Sequence, residues 1–287
     1  MKEISMDKMY KQKRPQKAMN LLMTLDAGYL HQLCVLLASI KRYHPDTELS
    51  VYILHTALTD AHFSEIQEVL ASGGVLIPIK IDTTEFSNAP TTDRYPPEMY
   101  YRLLAAKYLP DSLERILYLD PDTVVLKSLW EFYNIPFDGC LLAAASHVGK
   151  MMTMLNAARL DTWEKDEPYI NSGVMLLNLK QLRISQNEEE IYSYIRRCRN
   201  RLILPDQDII SGLYGSEIKL IDPFLYNMTE RIYEFRMDAE VWHNLDWVKS
   251  HTVIVHYCGR NKPWKNKYIG ALNIFYEDAE AYLNSLR

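Results

Sequence analysis

The sequence predicts an α/β fold, a mainly parallel Rossmann-like sheet flanked by helices, and three observations carry that expectation. The first 81 residues alternate strand-length apolar runs with helix-length amphipathic runs in the order β-α-β-α-β, which implies parallel strands joined by right-handed crossovers. The run Ile116-Leu117-Tyr118-Leu119 has no polar face, as expected of a strand covered by helices on both sides. That strand delivers Asp120 and Asp122 at its end. In open α/β sheets ligands bind just outside the carboxyl ends of the strands. Two hard oxygen donors there suit a divalent cation; an Asp-Pro turn that merely ends the strand is the plainer alternative.

Each element has a local reason. Residues 18–25 read as the first strand, followed by the turn Asp26-Ala27-Gly28-Tyr29 and a helix over 30–43. A strand, a Gly-containing turn and a helix open a nucleotide-binding unit, because backbone N–H groups and a helix N-terminus face the ligand. Pro45-Asp46 breaks that helix, residues 49–54 give the second strand, and residues 59–70 give a helix with Asp60 and Glu65 in its early turns. Gly73-Gly74 stops it before a third strand over 75–81. Residues 83–97, rich in Thr, Pro, Asn and Asp, read as a long surface loop. A helix over 98–108 follows, carrying Arg102 and ended by Pro110, then the strand that leads to Asp120. Residues 141–145 form a further apolar strand, 151–163 a helical lobe, and 170–179 a strand entered through Asn171 and Ser172. A helix over 187–201 presents Arg196, Arg197, Arg199 and Arg201 as a solvated face. Another starts at Pro205, with acidic Asp206 and Asp208 favourable to its dipole. Residues 252–257 make a last buried strand, and a helix over 269–286 closes the chain.

Composition excludes several function classes. The 287 residues are 48% hydrophobic and 24% charged, an ordinary globular balance, and the net charge of -5 offers no general attraction for nucleic acid. Cys34, Cys140, Cys198 and Cys258 are widely spaced, with no Cys-x-x-Cys pair to suggest a zinc knuckle or a disulfide framework. A reducing cytoplasm fits best. The basic start, Lys2, Lys8, Lys11, Lys13, Arg14 and Lys17, lacks the apolar core of a secretory signal and reads as a solvated tail. No apolar run approaches the ~20 residues that span a bilayer. The expectation is therefore a cytoplasmic protein, at most peripheral at the inner face of the membrane. Its organisation reads as a tail over 1–17, one domain over 18–268 and a C-terminal helix over 269–287.

His256 ends the last strand and is followed at once by Gly259 and Lys262, so an imidazole, a permissive backbone and a cation come together. With Asp120 and Asp122 at the same edge of one sheet, the imidazole would complete an oxygen-nitrogen ligand set that leaves open positions on an octahedral ion. An imidazole ligand tilts the choice from Mg²⁺ toward Mn²⁺.

These residues carry a family resemblance. Tyr118-Leu119-Asp120-Pro121-Asp122, the run from Asn171 to Leu179, Asp206-Gln207-Asp208, and His256-Tyr257-Cys258-Gly259 through Lys262-Pro263-Trp264 resemble the successive motifs of glycosyltransferase family 8. The resemblance runs from about Met19 to Trp264. It implies a GT-A-type fold with a small helical C-terminal extension, and a retaining transferase that moves galactose or glucose from a UDP-sugar with Mn²⁺, or Mg²⁺. The acceptor would be a carbohydrate or glycolipid of the lipopolysaccharide type.

Residue by residue, the resemblance implies that Asp120, Asp122 and His256 hold the metal. Asp26 and Tyr29 match the segment that contacts uridine, Arg102 an arginine near the donor, and Gly259 with Lys262 the diphosphate-binding end. Asn171, Asp206 and Gln207 match positions around the transferred sugar. On the same resemblance Gln207 would lie at the β face of the reacting carbon, where Gln207 or Asp208 would stabilise positive charge during same-face attack. Two departures bear on the donor. His147 and Val148 stand where relatives often carry an acid, and Gly28 where some have a polar side chain, so galactose and glucose both stay open. Two rivals remain. Leu119-Asp120-Pro121-Asp122-Thr123 also fits the Asp-x-Asp-x-Thr of haloacid dehalogenase-like phosphatases, though there the pair follows the first strand. A nucleotide-sugar-binding protein without turnover would carry the same binding residues.

Overall fold

A computed structural model describes residues 17–82, 84–92, 96–162, 167–235 and 245–287. The basic tail expected over 1–17 lies outside the described residues except for Lys17, as do Thr83, Trp163 and the middle of the 83–97 loop.

The opening units form as their sequence dictates. They are β1 (Lys17–Thr24), α1 (Leu30–Tyr43), β2 (Thr47–His55), α2 (Asp60–Leu70) and β3 (Gly74–Lys80). Asp26 ends β1 by turning its carboxylate onto the Gly28 N–H at 2.7 Å, which starts a short 3₁₀ turn into α1. Thr59 caps α2 reciprocally with His62, so orphan N–H groups of the first turn are satisfied locally.

The helix expected over 98–108 is divided into α3 (Glu98–Tyr101), a 3₁₀ turn (Arg102–Leu104) and α4 (Ala105–Tyr108). The tightened turn falls on Arg102, whose side chain is committed inward. Then follow β4 (Arg115–Leu119), β5 (Thr123–Val125), α5 (Trp130–Tyr133), β6 (Leu142–Ala145), α6 (Lys150–Leu160), β7 (Val174–Asn178), α7 (Leu179–Ser185) and α8 (Glu188–Cys198). The last elements are α9 (Pro205–Tyr214), β8 (Ile218–Ile221), α10 (Pro223–Tyr226), α11 (Glu230–Phe235), α12 (Leu245–His251), β9 (Ile254–His256) and α13 (Asn273–Leu286). The four arginines of the α8 region are exposed, as their pattern predicts.

The main sheet has seven strands in the order β3-β2-β1-β4-β7-β6-β8. β3, β2, β1 and β4 are mutually parallel, β6 and β8 are parallel, and β7 runs antiparallel to both of its neighbours. Because β7 runs backwards, its entrance lies beside the exit of β4, which is how Asn171 and Ser172 reach the edge that carries Asp120. β7 is shorter than residues 170–179. Asn171 to Gly173 turn away to bond the site, and Asn178 caps α7 by accepting from Gln181 N–H.

Successive residues of β4 sort into two cores. Leu117 and Leu119 join one with α1 and β5, whereas Ile116 and Tyr118 join the other with α8 and α9. All four are fully buried, so the strand is covered on both faces. At roughly 1.5–3 kcal/mol per fully buried apolar side chain, this short segment anchors the sheet strongly. α13 packs on α1 and β5 and adds Phe275, Tyr276, Ala279 and Leu283 to the first core.

One expectation is corrected. The strand near residue 254 does not belong to the main sheet: β9 pairs with β5 in a separate two-stranded antiparallel ribbon, with Thr123 opposite His256. The chain leaving β4 at Asp120 turns at once into β5, so a three-residue partner on that ribbon brings the imidazole back to the aspartates. No helix among the described residues is long and apolar enough to cross a membrane.

Candidate active site

The turn between β4 and β5 is fixed from both ends. Asp120 N–H donates to Gly173 O (2.7 Å), and Thr123 donates its hydroxyl back to Asp120 O (2.8 Å). Tyr257 N–H donates to Asp122 O at 2.9 Å, which ties the ribbon to the same turn. Three ligand atoms thereby converge: one oxygen each from Asp120 and Asp122 and a ring nitrogen of His256 all lie within 4.8 Å of one another.

Each carboxylate spends one oxygen on the protein and leaves the other. Asp120 Oδ1 accepts from the Tyr118 hydroxyl (2.6 Å) and pairs with Arg102 (3.0 Å), while Oδ2 lies 3.9 Å from His256 Nε2. Asp122 Oδ2 accepts from the Lys262 ammonium, while Oδ1 is buried without a hydrogen-bond partner and lies 3.2 Å from His256 Nε2. Burial pushes the Asp122 carboxyl up, but the Lys262 ammonium, the largest opposing influence, helps hold the group well below the usual carboxylate range. A buried, unpartnered carboxylate oxygen facing an imidazole nitrogen fits a cation, and the mixed oxygen-nitrogen set suits Mn²⁺ better than Mg²⁺. Gly173 is what makes room, since a Cβ there would fall 2.5 Å from Asp120 Oδ2.

Arg102 links this group to the start of α9. Its guanidinium, nearly buried, lies 3.0 Å from Asp120 and 3.1 Å from Asp206, donates to Ser172 O at 3.2 Å, and stacks over the Tyr118 ring. Burial opposes its charge, but the neighbouring Asp120, Tyr118 and Asp206 raise its pKa further still. Asp206 accepts from the Ser172 hydroxyl at 2.8 Å; burial raises its pKa, against the pull of Arg102. Gln207, also buried, has its amide oxygen 3.4 Å from Asn171 Nδ2.

Lys262 lies beside the ribbon, donating to Asp122 and to Tyr257 O (2.8 Å). Its ammonium sits over the rings of Tyr29 and Trp264, which meet edge to face. Burial pushes the ammonium down, yet Asp122 and Tyr29 hold its pKa above the ordinary lysine value. Gly259 has φ +90°, a left-handed conformation that glycine adopts without strain. Asp26 is exposed, two residues beyond β1, with one oxygen on Gly28 N–H.

The structure therefore joins Asp120, Asp122, His256, Arg102, Asp206, Lys262 and Tyr29 through direct contacts, and Asn171 with Gln207 beside them. Asp208 has other partners. Fully buried, it receives both guanidinium nitrogens of Arg159 (2.6 and 2.8 Å), the Tyr169 hydroxyl (2.6 Å) and the N–H groups of Ile203 and Leu204. Five donors occupy its carboxylate, and they tie α6 and the 203–204 turn to the start of α9. Gly173 and Tyr118 belong to the site although sequence reasoning gave them no role. Tyr118 was foreseeable, standing two residues before Asp120 on a strand whose alternate residues share a face.

Comparison with known proteins decides the family. The profile described as Glycosyl transferase family 8 matches residues 20–268. The chain belongs to glycosyltransferase family 8. Among relatives of this family 8 chain is the lipopolysaccharide 1,2-glucosyltransferase of Escherichia coli K12, 28% identical over 249 residues that span 86% of this chain and 73% of that protein. The lipopolysaccharide 1,3-galactosyltransferase of Salmonella typhimurium is 23% identical over 265 residues, 91% of this chain and 77% of that one. The crystal structure of galactosyltransferase LgtC in complex with donor and acceptor sugar analogues superposes with a TM-score of 0.78 at 24% identity, covering 92% of this chain and 95% of that one. The family 8 chain thus has the GT-A fold and a sugar transferase's lineage. The phosphatase alternative fails on position as well, because the aspartate pair follows the fourth strand and not the first.

Proposed function

We propose that this family 8 chain is a retaining hexosyltransferase that moves galactose or glucose from a UDP-sugar to a glycan or lipopolysaccharide-type acceptor, with Mn²⁺ preferred over Mg²⁺. The observation that carries the reading is the convergence of Asp120 Oδ2, the unpartnered Asp122 Oδ1 and His256 Nε2. Those three would hold the ion. When bound, a divalent ion supplies Lewis-acid stabilisation of the charge left on the departing nucleoside diphosphate.

The chain's own residues do the rest. Lys262 offers a buried cation beside Asp122 for the diphosphate, and Gly259 lets the backbone approach it without a side chain in the way. Tyr29, edge-on to Trp264, and Asp26 stand at the uridine end. Arg102 fixes Asp206, which with Asn171 presents polar groups to the sugar hydroxyls. Gln207 is a poor nucleophile because an amide oxygen is barely basic. It suits stabilisation of an oxocarbenium-like carbon during attack from the leaving-group face, a contribution made only in the transition state. The five-donor cradle around Asp208 makes it a weak candidate for covalent attack and supports same-face substitution. The domain over 18–268 would carry the reaction, in the cytoplasm or against the inner face of the membrane.

Hydrolysis of UDP-galactose and UDP-glucose in Mn²⁺ tests the reading and chooses the donor. One of the two is cleaved by the wild type, and cleavage falls about a thousandfold in Asp122→Ala if the ion contributes ~4 kcal/mol to the barrier. Equal cleavage by Asp122→Ala and wild type would refute the assignment.

A further inference from the structure

Asn227 is fully buried, one residue beyond α10, and belongs to none of the sequence motifs. The backbone of the next residue holds it beside β9: Met228 N–H donates to Ile254 O (3.0 Å), and His256 N–H donates to Met228 O (2.7 Å). This puts Asn227 Oδ1 2.9 Å from His256 Nδ1 and Asn227 Nδ2 3.0 Å from Asn171 Oδ1.

The polarity of this chain of amides follows from one unambiguous donor. Gly173 N–H can only donate, and it donates to Asn171 Oδ1 at 3.1 Å. Asn171 therefore turns its oxygen toward Gly173 and Asn227, and its NH₂ toward Gln207. Facing an acceptor, Asn227 must present its own NH₂ to Asn171, which leaves its oxygen for the imidazole. His256 must then carry a proton on Nδ1. An imidazole with one proton on Nδ1 keeps the lone pair of Nε2, the atom aimed at Asp120 and Asp122.

We infer that Asn227 is a positioning residue that fixes the ring orientation and tautomer of His256, so that Nε2 is presented as a metal ligand. This rests on the metal reading of the preceding section. The nitrogen not bound to metal normally needs such a partner, and its loss weakens metal affinity roughly 10–100-fold. Asn227 also consumes, with Gly173, the acceptor capacity of Asn171, so only the NH₂ of Asn171 is left to face Gln207 and the sugar.

The test combines Mn²⁺ titration calorimetry on the full-length chain with ¹⁵N NMR of the His256 ring in chelator-treated protein. Asn227→Leu removes the acceptor, whereas Asn227→Asp keeps an oxygen for Nδ1–H and gives up only the NH₂ bond to Asn171 Oδ1, as Leu also does; His256→Ala reports whether the ion is held at this site. The expected result is an Nδ1–H ring in the wild type and in Asn227→Asp, the opposite tautomer in Asn227→Leu, and Mn²⁺ affinity reduced 10–100-fold in Asn227→Leu alone of the two Asn227 variants. Wild-type affinity in a folded Asn227→Leu, or an Nε2–H ring in the wild type, would overturn the inference. If His256→Ala binds Mn²⁺ as tightly as wild type, the metal reading fails, and the ring tautomer still decides the role of Asn227. Thermal melting of each variant separates a lost ligand from a lost fold.

Discussion

Gly173 faces His256 so closely that a methyl group on its Cα would lie 2.3 Å from Cε1 of the ring. The constraint comes from β7 running antiparallel into the edge where β4 ends, with Gly173 O accepting from Asp120 N–H at 2.7 Å. Gly173→Ala should therefore push His256 and Asp120 apart. Overpacking of this kind costs about 1–3 kcal/mol, and Mn²⁺ binding should weaken by more than tenfold. Calorimetric titration beside a urea unfolding curve checks both; undiminished Mn²⁺ affinity would show that the three ligands do not act together.

Arg102 is shared by Asp120 and Asp206 in a nearly buried position. Arg102→Met leaves the buried Asp206 and the half-buried Asp120 near one another without their cation. Removing one partner of such a group costs about 3–5 kcal/mol, so the urea midpoint should drop substantially. A change below 1 kcal/mol would mean that the guanidinium is dispensable to the fold.

Asp208 and Gln207 are neighbours on α9 with different surroundings, and they should separate stability from rate. Asp208→Ala strands the Arg159 fork and two backbone N–H groups, at a cost of about 3–5 kcal/mol. Gln207→Ala removes a 3.4 Å contact to Asn171 and a weak one to Tyr169, and should change stability by about 1 kcal/mol while reducing UDP-hexose turnover. Denaturation and hydrolysis assays on both variants settle the pair; a stable, slow Asp208→Ala would return that residue to the chemistry.

His44 gives the fold an acid-sensitive contact. It is 2% exposed, its Nε2 accepts from Leu129 N–H at 2.8 Å, and burial pushes its pKa from 6.5 down to about 4. The unfolded chain takes up a proton at His44 below about pH 6.5 and the folded chain only near 4. This contribution to stability is thus whole above 6.5 and is lost progressively as pH falls toward 4, a total of roughly 3 kcal/mol. Urea unfolding between pH 7.5 and 4 should show a shallower decline for His44→Gln than for wild type; parallel declines would locate the acid sensitivity elsewhere.

Much of this was legible in the residues. Helix α1 was bounded correctly by the Asp26 turn and Pro45, and β4 by an apolar run with no polar face, because local chemistry sets those ends. The aspartate pair and His256 were singled out through their motifs and positions at strand ends, and the structure brings the three side chains together. The ribbon was not legible. Residues 252–257 show that a strand is buried, but pairing with β5 and not the main sheet depends on where Met228 and Tyr257 anchor it. The direction of β7 was hidden for the same reason, since strand periodicity is identical in both senses. Asn227 left no trace, because a lone amide acquires meaning only from the backbone that holds it beside an imidazole. Asp208 showed the converse, a motif residue whose partners Arg159 and Tyr169 come from elements distant in sequence.

The ribbon of β5 and β9 has a consequence for how the protein matures. Asp120 and Asp122 are synthesised more than 130 residues before His256, and it is the β5–β9 ribbon, not the main sheet, that brings the imidazole to them. If these groups hold an ion as proposed, a growing chain with its Rossmann-like half formed would still lack the imidazole until the segment carrying β9 docks onto the three residues of β5. On the proposed metal reading, the site is complete only once that docking has taken place, so a chain lacking it would not hold the ion through all three groups.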